Sequence, residues 1–576
     1  MSAALDLNPT FLDHLANNAA KQPNKLACRN ATSPDTASES LSYSELWQHS
    51  NAIALHLQAT VAPNARVLLV FGASVEFITH FIGCLIAGMI PVPAPAPRIN
   101  RTLARLEEIA KDCAPDLILT SADQEEPLKK KLQESPVLAG IRTEALRVDH
   151  AHPSEAKCPV YSSNSTAFIQ YTSGSVSQPK GVIITHNNLI SNLAMIEEAF
   201  EIESPHTVIS WLPFFHDMGL ITLLEALYRG HSFIFISPES FFIRPIKWLQ
   251  LISQESNVIS GGPNFAYDYC VKRIKAEQFA SLDLSSWMLA YNGAEKVHAQ
   301  TMAAFSQRFA DCGFNSDAFT PCYGMAESTL LAACEPRTEP AQILQINRKA
   351  LEQNHLSLES EPTLAVEICS SGYPVEGGEI TILDPNSETQ LSRDQIGEIG
   401  LRGPHISMGY WNQTDRFNTA TASDSSAPTA AQSYCRTGDL GFMHEGRLYV
   451  TGRLKDMIII VGKNYYPHDI ESELESKIAE IPTQGAVAFA HSVDGATQES
   501  LVIVVEIAKR SIEANTMQAI REKIRSAVNA SFDLRVDTIV FTSVGSTPKT
   551  TSGKKQRILC REHFRNNQIK QITINE

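Results

Sequence analysis

Apolar and polar residues follow two different periods along this chain. Short runs of β-branched and other apolar residues alternate with longer segments whose apolar residues recur at helical spacing. Because strands that alternate with helices usually form parallel sheets joined by crossover helices, residues 40–400 predict an α/β fold. The clearest predicted elements are strands at residues 66–71, 117–120 and 167–171 and helices at residues 75–88 and 188–200.

The pattern changes near residues 452–456. Beyond this polar segment, apolar runs predict strands at residues 457–461, 486–490 and 501–507, with helices starting near His468 and covering residues 516–528. These elements are enough for a compact α+β domain of its own. The sequence therefore predicts a large α/β domain followed by a small α+β domain.

The composition is that of a globular protein with more than one core. The chain has 576 residues, of which 43% are hydrophobic, and its formal net charge is -15. That charge argues against nucleic acid or an anionic membrane as the main partner. The 11 cysteines form no C-x-x-C pair, which favours a reducing cytoplasm. No secretory signal is visible, and the most apolar segment, residues 77–90, is too short to span a bilayer.

The segment YTSGSVSQPKG, residues 171–181, combines small, hydroxyl-bearing and glycine residues with a lysine. Glycine lets backbone N–H groups approach phosphate oxygens, hydroxyls can donate to them, and the lysine supplies a positive charge. The loop lies between two apolar runs and so predicts a turn that joins two strands. Taken alone it is equally compatible with a simple turn. The candidate phosphate-binding residues are Thr172, Ser173, Gly174, Ser175 and Lys180.

Five further segments are polar or glycine-rich where a purely structural loop would not need to be, and one of them, YNGAE, follows an apolar strand. They are WLPFFHDMG from residue 211, YNGAE from residue 291, YGMAEST from residue 323, YCRTGDLG from residue 434 and PKTTSGKKQR from residue 548. Tyr323 offers an aromatic face for stacking, Glu327 a carboxylate for a hard cation such as Mg²⁺, and Asp439 an acceptor for ribose hydroxyls. The glycine of YNGAE would let a flat ring lie against the backbone. Each segment by itself is also compatible with an ordinary turn.

Taken together and in this order, the segments resemble the adenylate-forming superfamily of acyl-CoA synthetases, peptide-synthetase adenylation domains and luciferases. The resemblance runs from about Thr10 to Arg565. The phrases WLPFFHDMGLI, NGAEKV, CYGMAESTL and GRLKDMIIIVGKNYYPHDIE are most similar to those of fatty acyl-AMP ligases. A long interval between Glu327 and Gly372 matches the insertion of that subfamily in place and character.

The resemblance implies an architecture and a reaction. It implies an adenylation core at residues 1–453 with an insertion near 340–370, and a mobile C-terminal domain at 454–576 that rotates about Lys455. The reaction would use ATP and Mg²⁺ to convert a fatty acid into acyl-adenylate and pyrophosphate. The acyl group would then pass to the phosphopantetheine thiol of an acyl carrier protein, or of a carrier domain in a polyketide or peptide synthetase.

The resemblance also implies roles for individual residues. Lys554 and His216 would be catalytic and Glu327 would hold the metal. The adenine- and ribose-binding residues would be Gly293, Ala294, Glu295, Tyr323, Asp439 and Arg453. Residues beside the motifs that could line an acyl tunnel, or equally belong to the core, are Phe214, Phe215, Met218, Phe265 and Met325.

One position departs from the family pattern, and three alternatives to the ligase interpretation stay open. Val176 stands where the family usually has a threonine in its phosphate loop, and valine cannot donate a hydrogen bond. A medium- or long-chain acyl-CoA synthetase would differ only in the acceptor. A peptide-synthetase adenylation module would carry an early pocket aspartate for an amino group. A non-catalytic adenylate-binding or carrier-docking protein would be expected to lack Lys554 or Glu327, and both are present.

Overall fold

The computed structural model describes residues 9–32, 39–97, 103–147, 156–172, 179–202, 205–387, 389–392, 395–413, 419–421, 433–460, 463–491, 499–508, 511–550 and 553–575. The predicted strand Arg66–Phe71 is present. The predicted helices also form, with bounds of Val75–Ala87 and His186–Ala199. Thr185 caps the second of these helices by accepting a hydrogen bond from the N–H of Asn188, which explains its start.

A nine-stranded mixed sheet forms the centre of the large domain. Its middle strands are parallel, as the alternation of strands and helices predicts. The strands, in spatial order, are Tyr373–Pro374, Leu331–Cys334, Phe319–Gly324, Trp287–Gly293, Val258–Pro263, Thr207–Ser210, Ser232–Phe235, Leu26–Asn30 and Ser40–Ser42. A second, four-stranded parallel sheet contains Ile90–Pro95, Arg66–Phe71, Leu117–Leu119 and Thr143–Glu144.

Helices cover these sheets and bury a continuous aromatic and aliphatic core. They are Phe11–Lys21, Tyr43–Thr60, Val75–Ala87, Ala104–Cys113, Glu125–Leu132, His186–Ala199, Asp217–Arg229, Pro238–Ile243, Ile246–Ile252, Asn264–Arg273 and Ala299–Phe309. The strands Thr166–Tyr171 and Gly181–Thr185 pair in antiparallel fashion, so the predicted turn does join two strands. None of the helices described here combines the length and hydrophobicity that crossing a bilayer requires.

Antiparallel strands complete the large domain. One sheet consists of the strands Glu379–Leu383, Gly397–Arg402, Thr419–Thr421, Ser433–His444 and Arg447–Arg453. A separate unit, which we call the inserted hairpin, consists of the strands Ile343–Asn347 and Ala365–Cys369 and the short helix Arg348–Leu351 with its C-cap residue Glu352. Its apolar residues share one buried cluster with Leu440, Phe442, Tyr449 and Tyr466.

The residues after 456 build a smaller α+β domain with its own core. A three-stranded sheet of Ala486–His491, Ser500–Ile507 and Thr538–Ser543 packs against the helices Pro467–Lys477, Ala514–Phe532 and Arg557–Arg565. Two short strand pairs, Ile458–Ile460 with Lys463–Tyr465 and Ser511–Glu513 with Thr573–Asn575, complete it. The fold is thus the predicted large α/β domain with a small α+β domain.

Candidate active site

The candidate site lies at the carboxyl ends of the parallel strands, where open α/β sheets usually bind ligands. Val258–Pro263, Trp287–Gly293 and Phe319–Gly324 run parallel and end at the same edge of the nine-stranded sheet. A cavity of about 770 Å³ opens there. The predicted site residues that line it are Thr172, Lys180, His216, Ala294, Glu295, Tyr323, Glu327, Asp439, Arg453, Lys455 and Lys554.

Lys554 enters this cavity from the small domain. Burial lowers the pKa of Lys554, and the carboxylates of Asp217 and Glu295 oppose that effect. Its backbone N–H donates to Oγ1 of Thr550 at 3.0 Å, and Gly553 before it has a φ of 86°, which favours glycine. The chain thus turns sharply to aim a lysine at the large domain.

The two cations that follow Lys554 anchor its loop. Nζ of Lys555 lies 2.9 Å from Glu471 and 2.7 Å from Glu475, both on the helix Pro467–Lys477. Arg557 pairs with Glu471 at 2.8 Å and with Asp456 at 3.0 Å. These buried pairs hold the Lys554 loop against the segment next to Lys455, which is exposed in the turn after Arg447–Arg453.

His216 and Asp217 stand at the start of the helix Asp217–Arg229. Nδ1 of His216 lies 2.5 Å from Oδ1 of Asp217. Burial would raise the pKa of Asp217, but the charge of His216 and the hydrogen bond to it outweigh burial and lower this pKa. Asp217 is therefore an anion that faces Lys554 across the cavity.

Asp439 is held by two neighbours. The hydroxyl of Tyr323 donates to Oδ2 at 2.9 Å, and Nε of Arg453 donates to Oδ1 at 3.0 Å. Asp439 raises the pKa of Arg453. Tyr323 and Arg453 are more than 100 positions apart in the sequence, and the structure brings both of them to Asp439.

Gly293, Ala294 and Glu295 end the strand Trp287–Gly293. A Cβ on Gly293 would lie 2.7 Å from Sγ of Cys322, so close packing of the next strand already requires glycine there. Ala294 has a φ of 64°, an uncommon conformation for a residue with a Cβ. Glu295 accepts a hydrogen bond from the N–H of Phe265 at 2.7 Å. Strain of this kind is often found at functional sites.

Tyr410 is a site residue that the sequence reasoning missed. Its hydroxyl donates to Oε1 of Glu327 at 2.7 Å, and its ring lies 4.5 Å from Nζ of Lys180. Burial raises the pKa of Glu327, whereas the bond from Tyr410 lowers it. The only sequence signal was an aromatic pair after Gly409, far from either partner.

A hydrogen bond joins the two ends of the predicted phosphate loop. The N–H of Thr172 donates to the carbonyl oxygen of Lys180 at 3.0 Å. Ser173, Gly174, Ser175 and the atypical Val176 lie outside the described residues.

The five apolar candidates separate into two groups. Phe265, Met218 and Met325 line the cavity. Phe214 is 2% exposed and packs in the core against Phe77, Phe233 and Phe235. Phe215 is half-buried, and its carbonyl oxygen accepts a hydrogen bond from Gln170.

The inserted hairpin contacts the small domain directly. The carbonyl oxygen of Glu352 accepts hydrogen bonds from the backbone and side chain of Asn464 at 3.0 and 3.1 Å. Oε2 of Glu352 lies 3.2 Å from Nζ of Lys463. The guanidinium of Arg348 lies 5.1 Å from the centre of the Phe532 ring. These contacts tie the hairpin to the domain that carries Lys554.

The fold and this arrangement define an adenylate-forming enzyme. The model of the AMP-binding enzyme family matches residues 15–411, and the chain belongs to that family. Residues 455–574 match a model described as the AMP domain of Disco-interacting protein 2-like proteins. These matches confirm the resemblance stated above.

Individual relatives carry names that are more specific than the description of the family. The medium-chain-fatty-acid–acyl-carrier-protein ligase JamA of Moorena producens is 40% identical over 538 residues, which cover 91% of this chain and 90% of the relative. The crystal structure of a fatty acyl-adenylate ligase from Legionella pneumophila in complex with acyl adenylate and pyrophosphate is 37% identical. The match covers 97% of this chain and 96% of the Legionella chain, with a TM-score of 0.74. A structure from studies of fatty acyl-adenylate ligases of E. coli and L. pneumophila gives a TM-score of 0.85 at 27% identity, with 98% and 99% coverage.

Proposed function

We propose that this protein activates a fatty acid with ATP and passes the acyl group to the phosphopantetheine thiol of an acyl carrier protein. The observation that carries the proposal is the position of Lys554, which shares one cavity with His216, Asp217 and Glu327. The acyl-carrier-protein ligase named above supports a carrier protein as the acceptor.

In the first half-reaction a carboxylate oxygen of the fatty acid attacks the α-phosphorus of ATP. The bond from that phosphorus to the bridging oxygen of the β-phosphate breaks, and pyrophosphate leaves. Two anions must approach each other, so catalysis depends on positioning and on charge neutralisation. Lys554 supplies a positive charge between the carboxylate and the α-phosphate. His216, fixed by Asp217, lines the place where the two meet.

The nucleotide is bound by residues from five segments of the chain. Tyr323 and the Gly293–Ala294 backbone lie on either side of the adenine. Asp439 and Arg453 bind the ribose. Residues 172–175 and Lys180 bind the β- and γ-phosphates. Asp439 is pre-oriented by the two bonds described above, so it needs little reorganisation to accept ribose hydroxyls.

Glu327 fits a Mg²⁺ ion. Tyr410 donates to Oε1, and Glu327 lines the cavity beside Thr172. Among the described residues no three His, Cys, Asp or Glu side chains cluster as a metal site. A single carboxylate suits Mg²⁺, which is usually bound through one or two carboxylates together with phosphates and water. When bound, the ion would neutralise phosphate charge.

In the second half-reaction the thiol attacks the acyl carbonyl carbon, loses its proton, and AMP leaves. Lys554 occupies the cavity, so the thiol needs a different orientation of the small domain. We propose domains at residues 1–453 and 454–576 and a hinge at Lys455, which is exposed at the start of the second domain. The inserted hairpin restrains that rotation through its contacts with Lys463, Asn464 and Phe532.

A product assay tests the proposed function. The protein is incubated with ATP, Mg²⁺ and dodecanoate, alone, with CoA, or with a phosphopantetheinylated acyl carrier protein. We expect acyl-AMP alone and with CoA, and acylated carrier protein in the third reaction. Efficient conversion to acyl-CoA would identify a CoA synthetase instead, and absence of pyrophosphate release would identify a binding protein.

A further inference from the structure

One face of the helix Asp217–Arg229 lines the apolar part of the cavity. Met218, Thr222 and Glu225 follow one another at intervals of four and three residues, so they share a face, and all three line the cavity. The neighbouring helix residues Leu223, Leu224, Ala226 and Leu227 are buried in the core. Glu225 is thus an acidic residue in an otherwise apolar stretch of helix.

One carboxyl oxygen of Glu225 is buried without a hydrogen-bond partner among the described residues. Glu225 is 4% exposed, and no group in the described part of the chain hydrogen-bonds its Oε1. Val208 and Ile259 also line this cavity. Burial raises the pKa of Glu225 to about 8. A polar group in this position costs stability unless something binds to it.

Tyr291 is a second polar residue that is buried beside the cavity. Its hydroxyl is buried and lacks a hydrogen-bond partner of acceptable geometry among the described residues, and its ring stacks on Phe200 with centres 6.4 Å apart. Burial raises the pKa of Tyr291, and the charge of Glu225 raises it further, which makes the two groups electrostatic neighbours. Thr222 and the backbone of Gly261 lie beside the hydroxyl and lower this pKa, but neither makes a well-aligned hydrogen bond with it. Both line the cavity, so a ligand there can reach them.

We propose that the acyl pocket selects fatty acids whose chain carries a hydroxyl group, which is bound between Glu225 and Tyr291. The inference rests on the proposed function. A hydroxyl can donate to one of these groups and accept from the other, which satisfies both. An ammonium group would bring its own charge next to the apolar side chains of Met218, Val208 and Ile259, so a neutral hydroxyl is the better match. The helix rises about 12 Å from Asp217 to Glu225, which puts this contact well away from the carboxylate.

The test compares dodecanoate with hydroxydodecanoates in which the hydroxyl moves along the chain one carbon at a time. Pyrophosphate release gives kcat/KM for each acid. We expect at least one isomer to exceed dodecanoate by about 10-fold, the effect of one net hydrogen bond. In Glu225→Leu that preference should disappear and dodecanoate should improve, whereas Glu225→Gln should retain part of it. Asp268→Asn is the matched control, because Asp268 lines the same cavity but pairs with Lys272 at 3.0 Å.

Thermal unfolding separates selection from a structural role. If Glu225 serves a ligand, Glu225→Leu should have an equal or higher Tm than the parent protein, because a buried unpaired group is removed. A clear fall in Tm would overturn the inference. So would turnover of dodecanoate with no isomer preferred, or a preference that Glu225→Leu keeps. Absence of turnover with every fatty acid would overturn the proposed function as well.

Discussion

Loosening the inserted hairpin should increase thioester formation. The perturbation is the double substitution Arg348→Ala and Lys463→Ala. It removes the Arg348–Phe532 contact and the ion pair between Lys463 and Glu352. The backbone bond from Asn464 to Glu352 is left intact, so the small domain should still dock in the adenylating orientation.

The size of the effect follows from the two contacts. Nζ of Lys463 belongs to a side chain that is 44% exposed, so its ion pair contributes at most about 1 kcal/mol. A partly exposed cation–π contact such as that of Arg348 contributes about 0.5–1 kcal/mol. Their joint loss, about 1–2 kcal/mol, would shift the balance between the two domain orientations by about 5- to 30-fold.

The assay measures dodecanoyl-CoA formed from preformed dodecanoyl-AMP and CoA. We expect the double variant to form it about 5- to 30-fold faster than the parent protein, with adenylation little changed. Lys349→Ala is the control, because Lys349 is exposed on the same short helix. A double variant no faster than the parent, or a control that is equally fast, would refute the restraining role of the hairpin.

Three further substitutions test the proposed site. Lys554→Ala should slow pyrophosphate release by about 100-fold or more and leave thioester formation from preformed acyl-AMP nearly intact; equal losses in both would contradict its role. Tyr410→Phe removes a hydrogen bond that lowers the pKa of Glu327. Because the ionised carboxylate holds the cation, the acid limb of the kcat/KM profile should move to higher pH, and an unchanged profile would argue against this role. Asp439→Asn should raise KM for ATP by roughly 10-fold, since it weakens the ribose contact and the pair with Arg453, and an unaltered KM would contradict the assignment.

Elements with a strong local period could be predicted, but contacts between distant segments could not. The predicted strand Arg66–Phe71 is correct to the residue, because its continuous apolar run starts after the charged Arg66 and ends before Gly72. The bond from Tyr410 to Glu327 joins residues 83 positions apart, and nothing local in the sequence pairs them. Glu225 is an ordinary helix former in the sequence, and only tertiary packing buries it.

The most direct test of the central claim follows the oxygen atoms. Fatty acid labelled with ¹⁸O in its carboxylate is incubated with ATP, the protein and a phosphopantetheinylated carrier protein, and the AMP is analysed by mass spectrometry. Attack of the carboxylate on the α-phosphorus predicts that AMP carries one labelled oxygen. Unlabelled AMP, or label found in pyrophosphate or inorganic phosphate, would contradict the account.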